Sequence, residues 1–432
     1  MDVNNIKKKI LDLQLMRKDR CTTNQDKRML YAETELLIMD IDDMISLGKV
    51  ESEQLNTPKE ELAALSESLS LAFVKRPGSY LVKIIRKIDE MMRLIAVWLI
   101  LAASAIVFAF PCILLAPLDY ILVSSGILSV FHQVSVQSKL FISRCIIIVS
   151  GTHVVHEVEG HGGDVYKNFG KQCVLTCFSH ASSMDAFLIT ATIPVTALTV
   201  CKSELFLIPY FSWCLTAFGG VAIKRGDRDQ AVKALSAAAG AAGGGDCIAI
   251  APEGTRSKSG QLMEFKKGPF HIWEQLDVPI VPIVTLGAFE LYPPGCQMSL
   301  PGKVYVRFLE PILPSEAKSR EDMSRLLRRR MLNSFKNCPN DVATDLTWSQ
   351  RLYCWLHMLG IYGFWYALYT HVQYRSIIDY FHVSVLQAWG LVLAFSVLVT
   401  LTLFFYAVHI APVLRKLMSR KDLSSKKSDK KD

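Results

Sequence analysis

His180 is followed five residues later by Asp185 in the stretch Phe178-Ser179-His180-Ala181-Ser182-Ser183-Met184-Asp185. An imidazole with a carboxylate on one ring nitrogen can take a proton from a hydroxyl through the other. The carboxylate fixes the tautomer and supports the imidazolium that forms. The apolar run Cys173 to Phe178 predicts a strand ending just before the pair. His180 then stands at a strand's carboxyl end, where open α/β sheets bind ligands. Ser182 or Ser183 is expected to cap the helix that carries Asp185. The spacing alone is weak, because ten histidines, with Asp at about one position in twenty, give roughly half such a match by chance.

A second block, Ile250-Ala251-Pro252-Glu253-Gly254-Thr255-Arg256, also follows a strand-like run, Cys247 to Ala251. Gly254 permits close backbone approach. Thr255 offers a hydroxyl, and Arg256 a planar cation that can grip phosphate through two N–H groups. By itself this block reads as a glycine turn with a solvated arginine. Between the two blocks lies Gly219-Gly220-Val221-Ala222-Ile223-Lys224-Arg225.

Taken in order, the sequence resembles the glycerolipid acyltransferase family, the 1-acylglycerol-3-phosphate acyltransferase group in particular. Four blocks carry the resemblance: His180 to Asp185, Pro209 to Arg225, Pro252 to Arg256 continuing to Gly268, and Val278-Pro279-Ile280-Val281-Pro282-Ile283. It covers roughly residues 140–315. It implies an α/β fold, a mixed central sheet with flanking helices, and transfer of an acyl group from acyl-CoA to lysophosphatidate. It also implies His180 as general base, Asp185 as its support, and Arg225, Glu253, Gly254, Thr255, Arg256 and Lys266 around the acceptor's phosphate and glycerol. Lys267 is expected to add to the positive field, and Glu253 to bond a hydroxyl or the neighbouring Arg256. No metal and no cofactor are expected; acyl-CoA enters as co-substrate. The first block reads Ser-His-Ala-Ser where lysophosphatidate enzymes more often carry Asn-His-Gln-Ser. Ser179 is shared with some glycerol-3-phosphate and dihydroxyacetone-phosphate acyltransferases. The acceptor therefore stays open between lysophosphatidate, glycerol-3-phosphate and another lysophospholipid. A non-catalytic membrane scaffold is the alternative of another class.

Other strings fall away on inspection. His153-Val154-Val155-His156-Glu157-Val158-Glu159-Gly160-His161 looks like a zinc-protease box. Its second and third histidines are five apart rather than four, and Gly160 weakens a helix there. Ala241 to Asp246 lacks the Lys-Ser/Thr end of a phosphate loop. Eleven cysteines in no framework spacing are expected to be reduced thiols. Net charge is +8, without basic and aromatic interleaving or zinc-finger spacing, so nucleic acid is not an expected partner.

Around the chemistry, the chain divides by composition. Residues 1–80 read as a helical extension, with an amphipathic helix over Met29 to Leu47 packed on the body; its protein partner, if any, is not legible. Met1 to Arg28 has no apolar core for a cleaved signal peptide. Residues 94–118 carry no charge, and 94–131 read as a kinked membrane hairpin interrupted by Pro111, Pro117 and Asp119, with a single crossing as the competing reading. Residues 140–340 form the α/β domain. Residues 352–374 and 383–414 are expected to be transmembrane helices, followed by a basic tail, 415–432. Lys83, Arg86, Lys87 and Arg93 before the first run, and Arg328, Arg329, Arg330 and Arg351 before the last two, put those flanks in the cytosol. An integral protein of the endoplasmic reticulum with its catalytic domain facing the cytosol is the resulting expectation. Further strands are predicted at Val195–Val200, Val221–Ile223, Pro279–Leu286 and Val304–Leu309, and helices at Asp229–Ala239 and Phe270–Leu276.

Overall fold

A computed structural model describes residues 3–363 apart from 21–22, 48–51, 74–78, 105–129, 161–173, 194–196, 209–210, 218 and most of 225–246. Helices α1 (Val3–Arg20), α2 (Asn24–Ser46), α3 (Ser52–Glu67), α4 (Tyr80–Ser104) and α5 (Val130–Val149) lead into the sheet. Then come β1 (Thr152–Val158), β2 (Val174–Phe178), α6 (Asp185–Thr192), β3 (Ala197–Lys202), α7 (Phe211–Ala217), β4 (Gly220–Ile223) and β5 (Cys247–Ile250). The domain closes with α8 (Gly268–Leu276), β6 (Ile280–Leu286), α9 (Ala288–Leu291), β7 (Gly302–Phe308) and α10 (Arg320–Lys336). Residues 348–363 are helical.

Seven strands form one sheet in the order β1-β7-β6-β2-β5-β3-β4. All neighbours run parallel except β6 and β7. β2, β5 and β6 are buried throughout, as expected of central strands covered on both faces. Alternation sorts their side chains. Leu175 and Cys177 of β2 join Ile248, Ile250, α8 and α10 in one core. Val174 and Phe178 join Cys247, Ala249, Leu188 and Ile189 in the core on the opposite face.

The N-terminal extension belongs to the first of these cores. Leu30, Leu37, Ile41 and Met44 of α2 are buried with Leu327, Met331 and Phe335 of α10. A capping box starts α2: Asp26 N donates to Thr23 Oγ1 (3.1 Å), and Thr23 N donates to Asp26 Oδ2 (3.0 Å). Arg328 pairs with Glu35 (2.6 Å), Arg329 with Asp40 (2.9 Å) and Asp43, Arg325 with Asp43, and Arg330 with Glu316. Of the four arginines read as a membrane flank, Arg328 and Arg329 are thus paired with acids of α2, Arg330 with Glu316 and Arg351 with Asp345.

The membrane expectations fall mostly beyond what is described. Among the described residues no helix is long and apolar enough to cross a membrane. The interior of the expected hairpin, the second half of the 352–374 run and all of 383–414 and 415–432 lie outside the described residues. The described flanks of the hairpin, α4 and α5, pack side by side through Ala96, Ile100, Ile142 and Ile146, with Met358 against them.

Candidate active site

Three adjacent parallel strands, β5, β2 and β6, deliver their carboxyl ends to one place. Ser179 and His180 follow β2, the Pro252–Arg256 turn follows β5, and Thr285 is the last residue but one of β6. His180 Nδ1 lies 3.1 Å from Asp185 Oδ2. Asp185 is fully buried, whereas the His180 side chain keeps 19% of its surface exposed. Oδ2 also accepts the backbone N–H groups of Ala181 (2.8 Å) and Ser182 (2.7 Å). A short loop thus wraps the carboxylate and holds the imidazole in one orientation. His180 Nε2 has no partner among the described residues.

The capping expectation needs correction. Helix α6 starts without a side-chain cap bond. Ser182 Oγ instead accepts Met184 N–H (3.1 Å) and donates to Tyr292 O (2.8 Å), fastening the loop before the helix. The Phe187 amide of the first helical turn is met by the backbone oxygen of Met184 (3.0 Å).

Glu253 also differs from expectation. It was expected to touch the acceptor or Arg256, but it is 1% exposed. Its Oε1 accepts His180 N–H (2.7 Å) and its Oε2 accepts Met263 N–H (2.9 Å). Ser257 N donates to His180 O (2.8 Å), so both backbone polar groups of His180 are held by the second block. Glu253 clamps two loops together rather than facing a ligand. Burial pushes its carboxyl up to about 8, against the two amide bonds, which favour the ionised form.

That shift predicts a pH signature. The folded chain keeps the Glu253 proton up to about 8, while the unfolded chain releases it near 4.5. The associated stability is full below pH 4.5 and is lost as pH rises through about 8. Glu253→Gln cannot titrate, and its amide leaves one of the two N–H groups unpaired, costing about 1–3 kcal/mol. Urea midpoints of the two proteins should therefore draw together between pH 5 and pH 8. A gap that stays constant across that range counts against a buried, proton-holding Glu253.

Of the remaining expected residues, Gly254 has φ +67°, and a Cβ there would meet Lys266 Cγ at 3.1 Å. Only glycine makes this turn without strain. Arg256 is exposed and its guanidinium hydrogen-bonds Ser183 Oγ, within three residues of His180. Thr255 is half-buried in the same turn, and Lys266 is exposed beside it, its N–H bonded to Pro252 O (2.7 Å). Arg225 lies outside the described residues. The two blocks, 73 residues apart, are thus one constellation.

The loop after Arg256 has an unforeseen set of supports. Tyr31 OH donates to Leu262 O (2.5 Å). Gln261 Nε2 donates to Leu69 O (2.8 Å), and Leu71 N donates to Ser259 O (2.7 Å). Arg328 bridges Met263 O (2.7 Å) and Glu35 (2.6 Å). The N-terminal extension therefore cradles the loop whose Met263 amide holds Glu253. The zinc-like string resolves as edge strand β1, in which His153 and His156 are three apart and so face opposite sides. Among the described residues no group of three His, Cys, Asp or Glu side chains is placed to hold a metal ion.

A partly exposed imidazole on a buried carboxylate at a strand end, with a basic turn against it, is an arrangement able to take a proton from a hydroxyl. The chain matches the Acyltransferase family model over residues 147–286. Among its relatives is a 1-acyl-sn-glycerol-3-phosphate acyltransferase of Cocos nucifera, 28% identical over 224 residues, 52% of this chain and 67% of the relative. A Saccharomyces cerevisiae protein of the same description is 29% identical over 149 residues, 34% of this chain and 49% of the relative. A chloroplastic one from Brassica napus is 37% identical over 119 residues, 27% of this chain and 35% of the relative. The chain thus spans between about a third and two thirds of these relatives. The crystal structure of the 1-acyl-sn-glycerophosphate acyltransferase from Thermotoga maritima matches with TM-score 0.46 and 23% identity, over 58% of this chain and 97% of that one.

Proposed function

We propose that the protein transfers a fatty acyl group from acyl-CoA to the sn-2 hydroxyl of 1-acylglycerol-3-phosphate, giving phosphatidic acid and free CoA. The observation that carries this reading is the His180–Asp185 pair, 3.1 Å apart, with the imidazole still partly exposed. His180 Nε2 takes the hydroxyl proton as that oxygen attacks the thioester carbonyl. The tetrahedral intermediate collapses with loss of the CoA thiolate, which receives the proton back from the imidazolium. Asp185 fixes the Nδ1–H tautomer and stabilises the cation between the two transfers. Direct attack on a thioester needs alignment and deprotonation, not a protein nucleophile.

Arg256 and Lys266, exposed on the turn beside His180, supply positive charge for the acceptor's phosphate, and Arg225 is assigned with them from the family pattern. The relatives' descriptions support lysophosphatidate as acceptor. Membrane attachment at the endoplasmic reticulum, with the site facing the cytosol, is part of the proposal and rests on the uncharged runs and their basic flanks.

An acceptor panel with one acyl-CoA tests the reading. Lysophosphatidate is expected to be used best, with glycerol-3-phosphate and uncharged monoacylglycerol far behind. Arg256→Ala should raise KM for lysophosphatidate roughly tenfold, the loss of a charge-assisted contact, with little change in KM for acyl-CoA. Preference for glycerol-3-phosphate, or equal loss for both substrates, overturns the acceptor assignment.

A further inference from the structure

Asp185 has a second oxygen, and its partner lies in a strand outside the two motifs. Thr285 Oγ1 donates to Asp185 Oδ1 at 3.2 Å. Thr285 is 5% exposed at the end of β6, where every other side chain but Pro282 is aliphatic. Its hydroxyl also lies 3.2 Å from Ser179 Oγ, and its N–H donates to that same Ser179 Oγ at 3.0 Å.

The hydrogen directions follow from inventory. An ionised carboxylate only accepts, so the single Thr285 hydroxyl proton goes to Asp185. The Ser179 hydroxyl must then donate to Thr285 Oγ1. This gives a one-way chain: Ser179 O–H to Thr285 Oγ1, Thr285 O–H to Asp185 Oδ1, with Asp185 Oδ2 facing His180 Nδ1. Each donor polarises the next in a buried setting. All three residues ahead of His180 are buried, at 3% for Ser179, 5% for Thr285 and 0% for Asp185.

We infer that Thr285, backed by Ser179, is a positioning residue that locks the Asp185 carboxylate in the rotation that serves His180. The inference rests on the proposed role of His180 as general base. Without the Oδ1 bond, only the Oδ2 side of the carboxylate is anchored, by two loop amides that compete with His180 for one oxygen. Rotation about the carboxylate's own axis then loosens the imidazole. Ser179 accordingly serves the Asp185 side of the site: its hydroxyl is consumed inside the sheet and touches no acceptor. The Ser-His-Ala-Ser form of the first block thus carries no acceptor preference through Ser179.

The test uses the full chain in membranes or detergent. Thr285→Val is nearly isosteric and removes only the hydroxyl. It is expected to lower kcat roughly tenfold, the size of one hydrogen bond to a charged group, with KM for acyl-CoA and for lysophosphatidate unchanged. Thr285→Ser should restore kcat to within about twofold, and Ser179→Ala should show a smaller loss with the same acceptor ranking. In an Asp185→Asn background, Thr285→Val should cost nothing further. Wild-type kcat in Thr285→Val, or an undiminished loss in the Asp185→Asn background, overturns the positioning role. A changed acceptor ranking in Ser179→Ala overturns the assignment of Ser179. Retained activity in a His180 variant would instead strike the general-base reading itself, so the two failures are distinguishable.

Discussion

His180→Ala should lose acyl transfer by about 10²–10⁴-fold, the range of general acid–base catalysis, while the protein keeps its fold. The argument for both halves is local. The imidazole is partly exposed, so its removal leaves no sealed cavity. Asp185 keeps three donors after the change: Ala181 N, Ser182 N and Thr285 Oγ1. Glu253 and Ser257 bind the backbone of residue 180, not its ring, so the loop stays tethered. The expected stability change is therefore within about 1 kcal/mol. Activity is measured with acyl-CoA and lysophosphatidate, and stability by urea unfolding of the same preparation. Near wild-type turnover sinks the mechanism; an unfolded variant shows that residue 180 is held through its ring after all.

The largest effect on stability is expected at Arg28. Its guanidinium Nη2 lies 2.5 and 2.6 Å from the two carboxylate oxygens of Glu290, and the side chains are 2% and 1% exposed. Nη1 lies 3.7 Å from Cys338 Sγ. Removing one member of a buried pair leaves the other charge uncompensated, which costs about 3–5 kcal/mol. Arg28→Ala should therefore unfold at much lower urea. Arg28→Met combined with Glu290→Leu removes both charges at similar volume, and should recover most of the loss. A single substitution costing less than about 1 kcal/mol, or a double one no better than the single, refutes the pairing. The position makes the pair consequential: α9 follows β6 directly, so Arg28 ties the N-terminal extension to the strand that presents Thr285.

The legible parts of this protein are those whose signal is local. Strands β2, β5 and β6 are short apolar runs ended by glycine, proline or a polar residue, and the expected limits fall within one residue of the observed ones. The start of β3, expected at Val195, falls where residues 194–196 lie outside the described residues. Strand β1 was missed because it lies at the sheet edge. Its half-exposed surface tolerates two histidines and a glutamate, and these read as a ligand string. The ion pairs of the α10 arginines were illegible for a related reason. A run of cations next to an apolar segment resembles a membrane flank unless the acids that neutralise it, some 290 residues earlier in α2, are known.

The site divides along the same line. His180, Asp185, Gly254 and Arg256 stand out in the sequence only through the ordered set of blocks, since the His–Asp spacing alone is close to a chance event. Glu253 was readable as important but not as a clamp, since its partners are backbone amides and carry no side-chain signature. Thr285 had one available sign, a hydroxyl in an otherwise aliphatic buried strand. Its partner Asp185 is 100 residues away, and no local pattern names it.

The cradle formed by the N-terminal extension has a consequence for how the chain is made. Tyr31 finds its acceptor 231 residues later, and Gln25 hydrogen-bonds a carbonyl 313 residues later. During synthesis α2 emerges with an apolar stripe whose cover, α10, does not yet exist. Such non-local closure is slow and leaves hydrophobic surface open to aggregation. The helices translated first are thus among the last to be sealed, and the loop around Glu253 can set only when they dock. Assembly of a competent site is then the closing event of folding rather than an early product of the strands that frame it.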